Sequence, residues 1–467
     1  MKKNEEIILY AEKMIDRGIC LGRYEGKVVL IEGCLPNELV KVRIIKSKSD
    51  YAEAETIEII EKSNARREAI CKYFGLCGGC KLQDMIYEEQ LKVKKSFVEE
   101  SLKRIGKIEN PVVNEPIPAD DEYFYRNKME YSFAKRWLFK DVTYDEREKE
   151  FALGFHIPNR YEKVINLDYC YLQSDFSNQI RNFIGKYLFD KNVSIHSLKN
   201  KPGLLKALVI RESRAKEQKM INLITTRFEK QLMEELTKEI ISNFPTVTTF
   251  VNSISSENLS STLSNEFINL YGEGYIIEKL FNYEFEIYPN TFFQTNTKQA
   301  EKLFSVVKEY FDSLGVKANK ESSLLIDLYS GVGVLGIIFS KYFEKVICYE
   351  EVEESIISAS KNAKRNNINN IEFRRADLNK GFNIPKELKN KKITVVVDPP
   401  RAGMSKETVN SILQLNPERI VYISCNPATQ ARDLTLLKEK YFIKIIQPVD
   451  LFPQTYHIEN ILILEIF

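Results

Sequence analysis

Over the first 62 residues apolar and polar positions alternate in short runs. Beyond residue 289 the chain changes to apolar runs of five or six residues separated by helical stretches. Val28–Ile31 and Leu39–Ile44 are β-branched runs divided by Gly33 and Pro36, and Tyr51–Ile60 continues with partial alternation. A period of two is that of a strand with one face on a core. The spacing fits a small β-barrel of the oligonucleotide-binding type over residues 1–62. Tyr87 to Ile105 follows the helical period through Leu91, Phe97, Val98, Leu102 and Ile105. Pro111, Pro116 and Pro118 then break the chain into a linker. Tyr131–Phe133 and Ala207–Ile210 read as strands of a mixed region, and the Ser/Asn-rich stretch 253–265 reads as a loop.

After Pro289 strands alternate with helices: Leu324–Leu328, Val346–Tyr349, Ile371–Arg374, Ile393–Val397, Arg419–Ser424 and, last, Ile461–Ile466. This order predicts an α/β fold with a parallel, doubly wound sheet, whose ligands bind at the carboxyl ends of the strands. Four units are expected. They are a barrel (1–62), a central domain (63–90 with 123–286), a helix and linker packing on the catalytic domain (91–122), and that domain (287–467).

Composition narrows the class. The chain has 467 residues, 43% hydrophobic and 29% charged, enough for several cores. No apolar run reaches the ~18 residues that span a bilayer. Met1 to Glu6 opens no signal peptide, so a cytoplasmic monomer without membrane contact is expected. A net charge of +2 gives no argument for nucleic acid from the total. Eight cysteines in a cytosolic chain are not a disulfide framework. Cys71, Cys77 and Cys80 fall within ten residues, which suggests a metal.

Five motifs carry candidate chemistry. Asp327-Leu328-Tyr329-Ser330-Gly331-Val332-Gly333 follows a strand and opens a helix, and Glu350 ends the next strand. Such a turn approaches a ligand closely and the carboxylate can bind ribose hydroxyls, but a dinucleotide would fit equally. Asp398-Pro399-Pro400-Arg401 is either a rigid turn or the acidic-prolyl strand end of enzymes that methylate planar bases; Arg401 argues against the adenine-N6 type, which has an aromatic there. Cys425, in Ser424-Cys425-Asn426-Pro427, sits at a strand end between polar neighbours, unlike most buried thiols. His457-Ile458-Glu459 precedes the last strand, where the acid either caps or carries a raised pKa. Asn290–Asn296 offers amides for a ligand or, at Asn296, a helix cap.

Together these residues resemble the RNA uracil-5-methyltransferase family. The signatures are Phe293-Gln294, Asp327 to Gly331, Asp398 to Arg401, Ser424 to Pro427 and His457 to Glu459. Gly26 to Val29 and Leu35 to Glu38 resemble a TRAM domain, an RNA-binding barrel. The resemblance implies a C-terminal Rossmann-like class I methyltransferase domain that uses S-adenosylmethionine. It implies that Gln294, Tyr329, Glu350, Asp377 and Asp398 contact the cofactor, that Cys425 is the nucleophile and that Glu459 is the general base. Val334 and Asn37 depart from the pattern, standing where relatives often have Thr or Asn and where TRAM domains usually have Gly. Carbon 5 of uracil is too weak a nucleophile to take a methyl group unaided. A thiolate adding to carbon 6 makes it one, and cysteine is both a good nucleophile and a good leaving group.

On spacing, Cys71-x5-Cys77-x2-Cys80 suits zinc or iron–sulfur. The resemblance implies a [4Fe–4S] cluster with Cys170 as the fourth ligand, and 23S rRNA as substrate, with the tRNA T-loop as the alternative. Three other readings fit less well. TRAM-bearing radical enzymes carry Cys-x3-Cys-x2-Cys. A non-catalytic RNA binder would lack Cys425 or Glu459. DNA cytosine-5 methyltransferases place their nucleophile after proline, whereas Cys425 follows Ser424.

Overall fold

The computed structural model describes all residues except 159, 198–202, 256–263, 265, 316–321 and 384–390, and the backbone alone at 161. Most of the Ser/Asn-rich stretch therefore lies outside the described residues. At the N-terminus β1 (Glu6–Ile15), β2 (Ile19–Tyr24), β3 (Lys27–Glu32), β4 (Glu38–Ser47) and β5 (Tyr51–Glu61) close a barrel in the order β1-β2-β3-β5-β4. Their alternate residues Ile7, Leu9, Val29, Ile31, Val40, Val42, Ile44, Ala52 and Ala54 fill its interior, as the period of two predicts. Asn37 takes φ +65°, the left-handed conformation that glycine favours. Asparagine is among the few other residues that adopt it readily, so the substitution still permits the turn.

α1 (Tyr87–Arg104) corrects the sequence reading of its inner face. Its buried residues are Tyr87, Gln90, Lys94, Val98 and Leu102, whereas Ile105 is 39% exposed. Apolar periodicity missed this stripe because two of its five members are polar. Lys94 is fully buried and pairs with Asp450, also fully buried, at 2.7 Å. Burial pushes the Lys94 ammonium down and Asp450 holds it up. The Tyr87 hydroxyl donates to the other Asp450 oxygen at 3.0 Å, and Lys94 also donates to the Phe452 carbonyl at 3.1 Å.

The central region is a sheet of seven described strands, β6 (Lys128–Arg136), β7 (Ala152–Ile157), β8 (Arg160–Asn166), β9 (Leu205–Glu212), β10 (Lys219–Thr225), β11 (Thr249–Ile254) and β12 (Glu266–Tyr271), in the order β12-β11-β10-β9-β6-β7-β8. α2 (Glu146–Glu150) lies before β7, α3 (Asp175–Asp190) follows β8 and α4 (Lys230–Asn243) follows β10. The hairpin β13 (Ile276–Leu280) and β14 (Tyr283–Ile287) leads into the last region.

There α5 (Thr297–Ser313), β15 (Ser323–Leu328), α6 (Val334–Phe339), β16 (Lys345–Glu350), α7 (Glu353–Arg365), β17 (Ile371–Arg375), β18 (Lys392–Val397), α8 (Lys406–Leu415), β19 (Arg419–Ser424), α9 (Pro427–Leu437), β20 (Tyr441–Val449) and β21 (Glu459–Ile466) form the doubly wound unit. Its strand order is β17-β16-β15-β18-β19-β21-β20, parallel except for β21. The sequence reading missed β20. Lys444 and Gln447 interrupt its apolar run, a bulge separates Ile443 from Ile445, and Pro448 marks an edge strand. The proline-rich linker covers that edge: Asn114 and Ile117 donate to the carbonyls of Ile446 and Pro448, and Ile117 accepts from Asp450. Val98 and Leu102 of α1 share a core with Leu434 and Leu437 of α9.

Removing one partner of a fully buried pair leaves an unpaired charge, which costs about 3–5 kcal/mol. Asp450→Ala is expected to lower stability by that order, measured by urea unfolding followed by circular dichroism. Joining it to Lys94→Met should recover part of the loss.

Candidate active site and cysteine-lined cavity

Three strand ends meet on one edge of the sheet. β19 ends at Ser424, which pairs with Asn460 of the antiparallel β21, so Cys425 and Glu459 leave adjacent strands at the same end. β18 lies on the other side of β19 and runs into Asp398. The Asn-Pro following Cys425 starts α9: Pro427 occupies the first turn, and the Asn426 side chain accepts the Ala428 amide at 3.1 Å. Asn426 also donates to the Arg401 carbonyl at 2.9 Å, which ties the cysteine loop to the prolyl loop. The Cys425 motif is thus a strand stop, one free residue and a helix cap.

Burial opposes ionisation of all three groups. Glu459 is buried, and burial with the field of Asp398 pushes its carboxyl far above the usual range. Burial raises Asp398 to about 7. Burial raises the Cys425 thiol to about 11, Glu459 adding to the rise and Arg401 opposing it. The Arg401 guanidinium also lies 3.1 Å from a ring nitrogen of His457. Burial first, then Arg401, holds that imidazole neutral, at about 3. In the sequence Arg401 excluded one chemistry and completed the Asp398–Arg401 signature; its closeness to Cys425 and His457 is a tertiary fact.

The glycine turn has the features of a ligand cradle. Tyr329 adopts φ +62°, an outlier for an aromatic residue, of the kind found where a site stores strain. Its hydroxyl meets Thr408 at 3.4 Å. Glu350 accepts the amides of Gly331, Glu351 and Val352, each at 2.9 Å. Three of a carboxylate's roughly four acceptor positions are then used, leaving room for one hydroxyl. Three buried oxygens in these segments, Asp327 Oδ1, Ser330 Oγ and Thr295 Oγ1, have no partner in the protein, and a polar ligand would satisfy them. Asp327, absent from the predicted contacts, is raised to about 8 by burial. Asp377 is placed differently: it caps the short turn after β17, ion-paired to Lys380 at 3.0 Å, and that lysine holds its carboxyl below the usual range. Asn296 caps α5, while Gln294, half-buried, has its carbonyl held by Asn127 at 3.1 Å.

The loop between β20 and β21 carries His457 and is braced from outside the catalytic unit. Gln454 takes φ +68° and is fully buried. Its carbonyl accepts the amides of Lys81 and Leu82 at 2.9 and 3.0 Å. Its side chain bonds Arg67, Gln90 and Glu122 at 2.9–3.1 Å.

Cys71, Cys77, Cys80 and Cys170 line one cavity of about 190 Å³ with Tyr73, Phe155 and Leu172 among its walls. Among the described residues no three Cys, His, Asp or Glu side chains are gathered closely enough to hold a single metal ion. Burial pushes Cys77 and Cys80 up to about 12 and raises Cys71 and Cys170. Cys20, Cys34 and Cys348 are buried elsewhere.

The sequence of residues 256–466 matches the family model of tRNA (uracil-5-)-methyltransferases, and residues 6–57 match that of the TRAM domain. An uncharacterized RNA methyltransferase of Bacteroides thetaiotaomicron is 37% identical, over 97% of this chain and 100% of its own. One of Chlorobaculum tepidum is 36% identical, over 98% and 96%. The crystal structure of Pyrococcus abyssi tRNA (uracil-54, C5)-methyltransferase with S-adenosyl-L-homocysteine superposes with a TM-score of 0.72 at 26% identity, covering 98% of this chain and 100% of that one. No helix among the described residues is long and apolar enough to cross a membrane.

Asp398 titrates at about 7 in the fold against an ordinary 3.8. A raised value means that folding takes up a proton, so stability from this group is full below about pH 4 and is lost as pH rises through 7. Asp398→Asn is therefore expected to gain stability over the parent progressively between pH 4 and 8, read from unfolding midpoints. A pH-independent difference would contradict the burial of this carboxyl.

Proposed function

Because the chain belongs to the RNA uracil-5-methyltransferase family, whose reaction uses S-adenosylmethionine, we propose that Cys425 attacks carbon 6 of the target uridine and Glu459 removes the carbon 5 proton. The observation that carries this reading is the meeting of Cys425, Glu459 and Asp398 at adjacent strand ends beside the glycine turn. The Cys425 thiolate forms a bond to carbon 6, the π electrons of the carbon 5–carbon 6 bond become a carbon 4–carbon 5 double bond, and the carbonyl π pair moves onto the carbon 4 oxygen. Carbon 5 takes the methyl group as S-adenosylhomocysteine leaves. Glu459 then accepts the carbon 5 proton, the double bond re-forms and the thiolate is expelled.

Without ligands this cluster of acids disfavours ionisation of all three groups. The sulfonium of S-adenosylmethionine is a cation. Beside them it favours the thiolate and the carboxylates, so cofactor binding arms the thiol. Glu350 offers its remaining acceptor position to a ribose hydroxyl. Gln294, Tyr329, Asp377 and Asp398 complete the proposed contacts. The uridine must leave its stack to present its ring face to Cys425.

We assign the four cysteines to a [4Fe–4S] cluster. Four thiols lining one cavity supply the ligand set that a cubane cluster takes. Methyl transfer requires no electron, so its part is to hold structure or place RNA.

For the RNA, 23S rRNA is the first reading, resting on resemblance to the cluster-bearing rRNA branch. The whole-chain likeness to an archaeal tRNA enzyme favours a second, the tRNA T-loop. A TRAM barrel and a shared architecture do not separate the two, since RNA is selected by shape and unstacked bases. Tritiated methyl transfer to 23S rRNA and to tRNA, both lacking the modification, decides it: incorporation into 23S rRNA is expected, and incorporation into tRNA alone would sink the rRNA assignment.

The residue roles have their own test. Cys425→Ala is expected to abolish methylation and yield no covalent complex. Glu459→Gln should accumulate a denaturation-resistant protein–RNA adduct, because the methylated intermediate keeps its proton. Full turnover by either variant overturns its role. Gel electrophoresis with labelled RNA reads both.

A further inference from the structure

Gln430 lies on α9 one turn beyond the Asn426 cap and is fully buried, which is uncommon for a helical glutamine. Its backbone amide donates to the Asn426 carbonyl at 3.1 Å. Its Nε2 donates to the Tyr422 carbonyl of β19 at 2.9 Å and to the Asn460 carbonyl of β21 at 3.1 Å. Its Oε1 accepts the Asn460 side-chain amide at 2.7 Å. One side chain thus spends both donor hydrogens and an acceptor position on two neighbouring strands.

Those strands lead to the two groups assigned to the reaction. The β19–β21 ladder ends at the pair Ser424–Asn460. Cys425 and Glu459 each stand one residue beyond that pair, where the ladder no longer sets their separation. On its other side Asn460 is paired with Pro448 of β20, which has no N–H to donate. Glu459 keeps only Val449 of β20 as a strand neighbour. Gln430 spans this weak point. Its helix begins at Pro427, two residues after Cys425, and its side chain holds both the backbone and the amide of the residue after Glu459.

We infer that Gln430 is a positioning residue that sets the separation of the Cys425 thiol and the Glu459 carboxyl. This rests on the roles proposed above for those two groups. They act on neighbouring atoms of one ring, the sulfur at carbon 6 and the carboxylate at the hydrogen of carbon 5. Once the sulfur is bonded, the ring is fixed to the Cys425 side of the clamp, while the base stands on β21. Loss of the clamp therefore falls on proton removal more than on attack. A misplacement of about 1 Å can cost about a hundredfold in rate.

The test uses the full chain as wild type, Q430M, Q430A and Glu459→Gln. Unmodified 23S rRNA and tRNA transcripts carry tritium at carbon 5 of uridine, and S-adenosylmethionine carries carbon-14 in its methyl group. Carbon-14 in RNA counts methyl transfer; tritium in water counts proton removal. Wild type should release tritium in step with methyl transfer. Q430M, which keeps the volume of the side chain, should still transfer methyl. Its tritium release should lag by about tenfold or more, with a denaturation-resistant protein–RNA adduct accumulating. Q430A is read the same way if Q430M does not fold. A folded variant whose tritium keeps step with methyl transfer overturns the positioning role even if both are slow, because a general structural defect lowers both alike. So does a folded variant that transfers no methyl. Failure of both variants to fold, read by circular dichroism, overturns it too, since the amide is then a requirement of the fold. If Glu459→Gln releases tritium in step, or wild type methylates neither RNA, the underlying roles are overturned and this inference falls with them.

Discussion

The buried pair of Lys94 and Asp450 holds the last helix-free loop of the chain against its first long helix. Both charges are wholly removed from water, so neither can move without exposing the other to an apolar core. Asp450 opens the loop that ends at Glu459, and its Oδ1 accepts the Phe452 amide at 3.0 Å. The pair fixes where that loop starts, Gln454 fixes its middle, and β21 fixes its end. A buried ion pair is weak evidence for stability but a strong constraint on geometry. Here the geometry is that of the segment leading to the proposed base.

The same loop connects the proposed active edge to the segment that carries Cys71, Cys77 and Cys80. Lys81 and Leu82, immediately after Cys80, give their amides to the Gln454 carbonyl. Arg67 and Gln90 hold its side chain. The cysteine segment is therefore part of the wall against which the loop leading to Glu459 rests. A group that orders residues 71–80 would stiffen that wall without entering the reaction.

The active edge is electrostatically unfinished by itself. Two carboxyls and a thiol sit where burial opposes ionisation, the carboxylate fields add to this at Cys425 and Glu459, and Arg401 is the cation acting on those two. A cationic cofactor is the natural complement.

Much of this was legible in the linear chain. Alternation in residues 6–61 and the apolar runs after residue 323 report burial directly, because a strand's period does not depend on distant partners. Cys425, Asp398 and Glu459 could be singled out because each stands at the end of such a run. The inner stripe of α1 was not legible, since Gln90 and Lys94 are buried only by virtue of Gln454 and Asp450, more than 350 residues away. Nor was β20, whose proline and bulge are tolerated because it is an edge that the 108–118 segment covers. The sequence alone determined which residues could carry the chemistry. Only the tertiary structure decided which buried charges face one another, because a counter-ion is set by proximity in space and leaves no period along the chain.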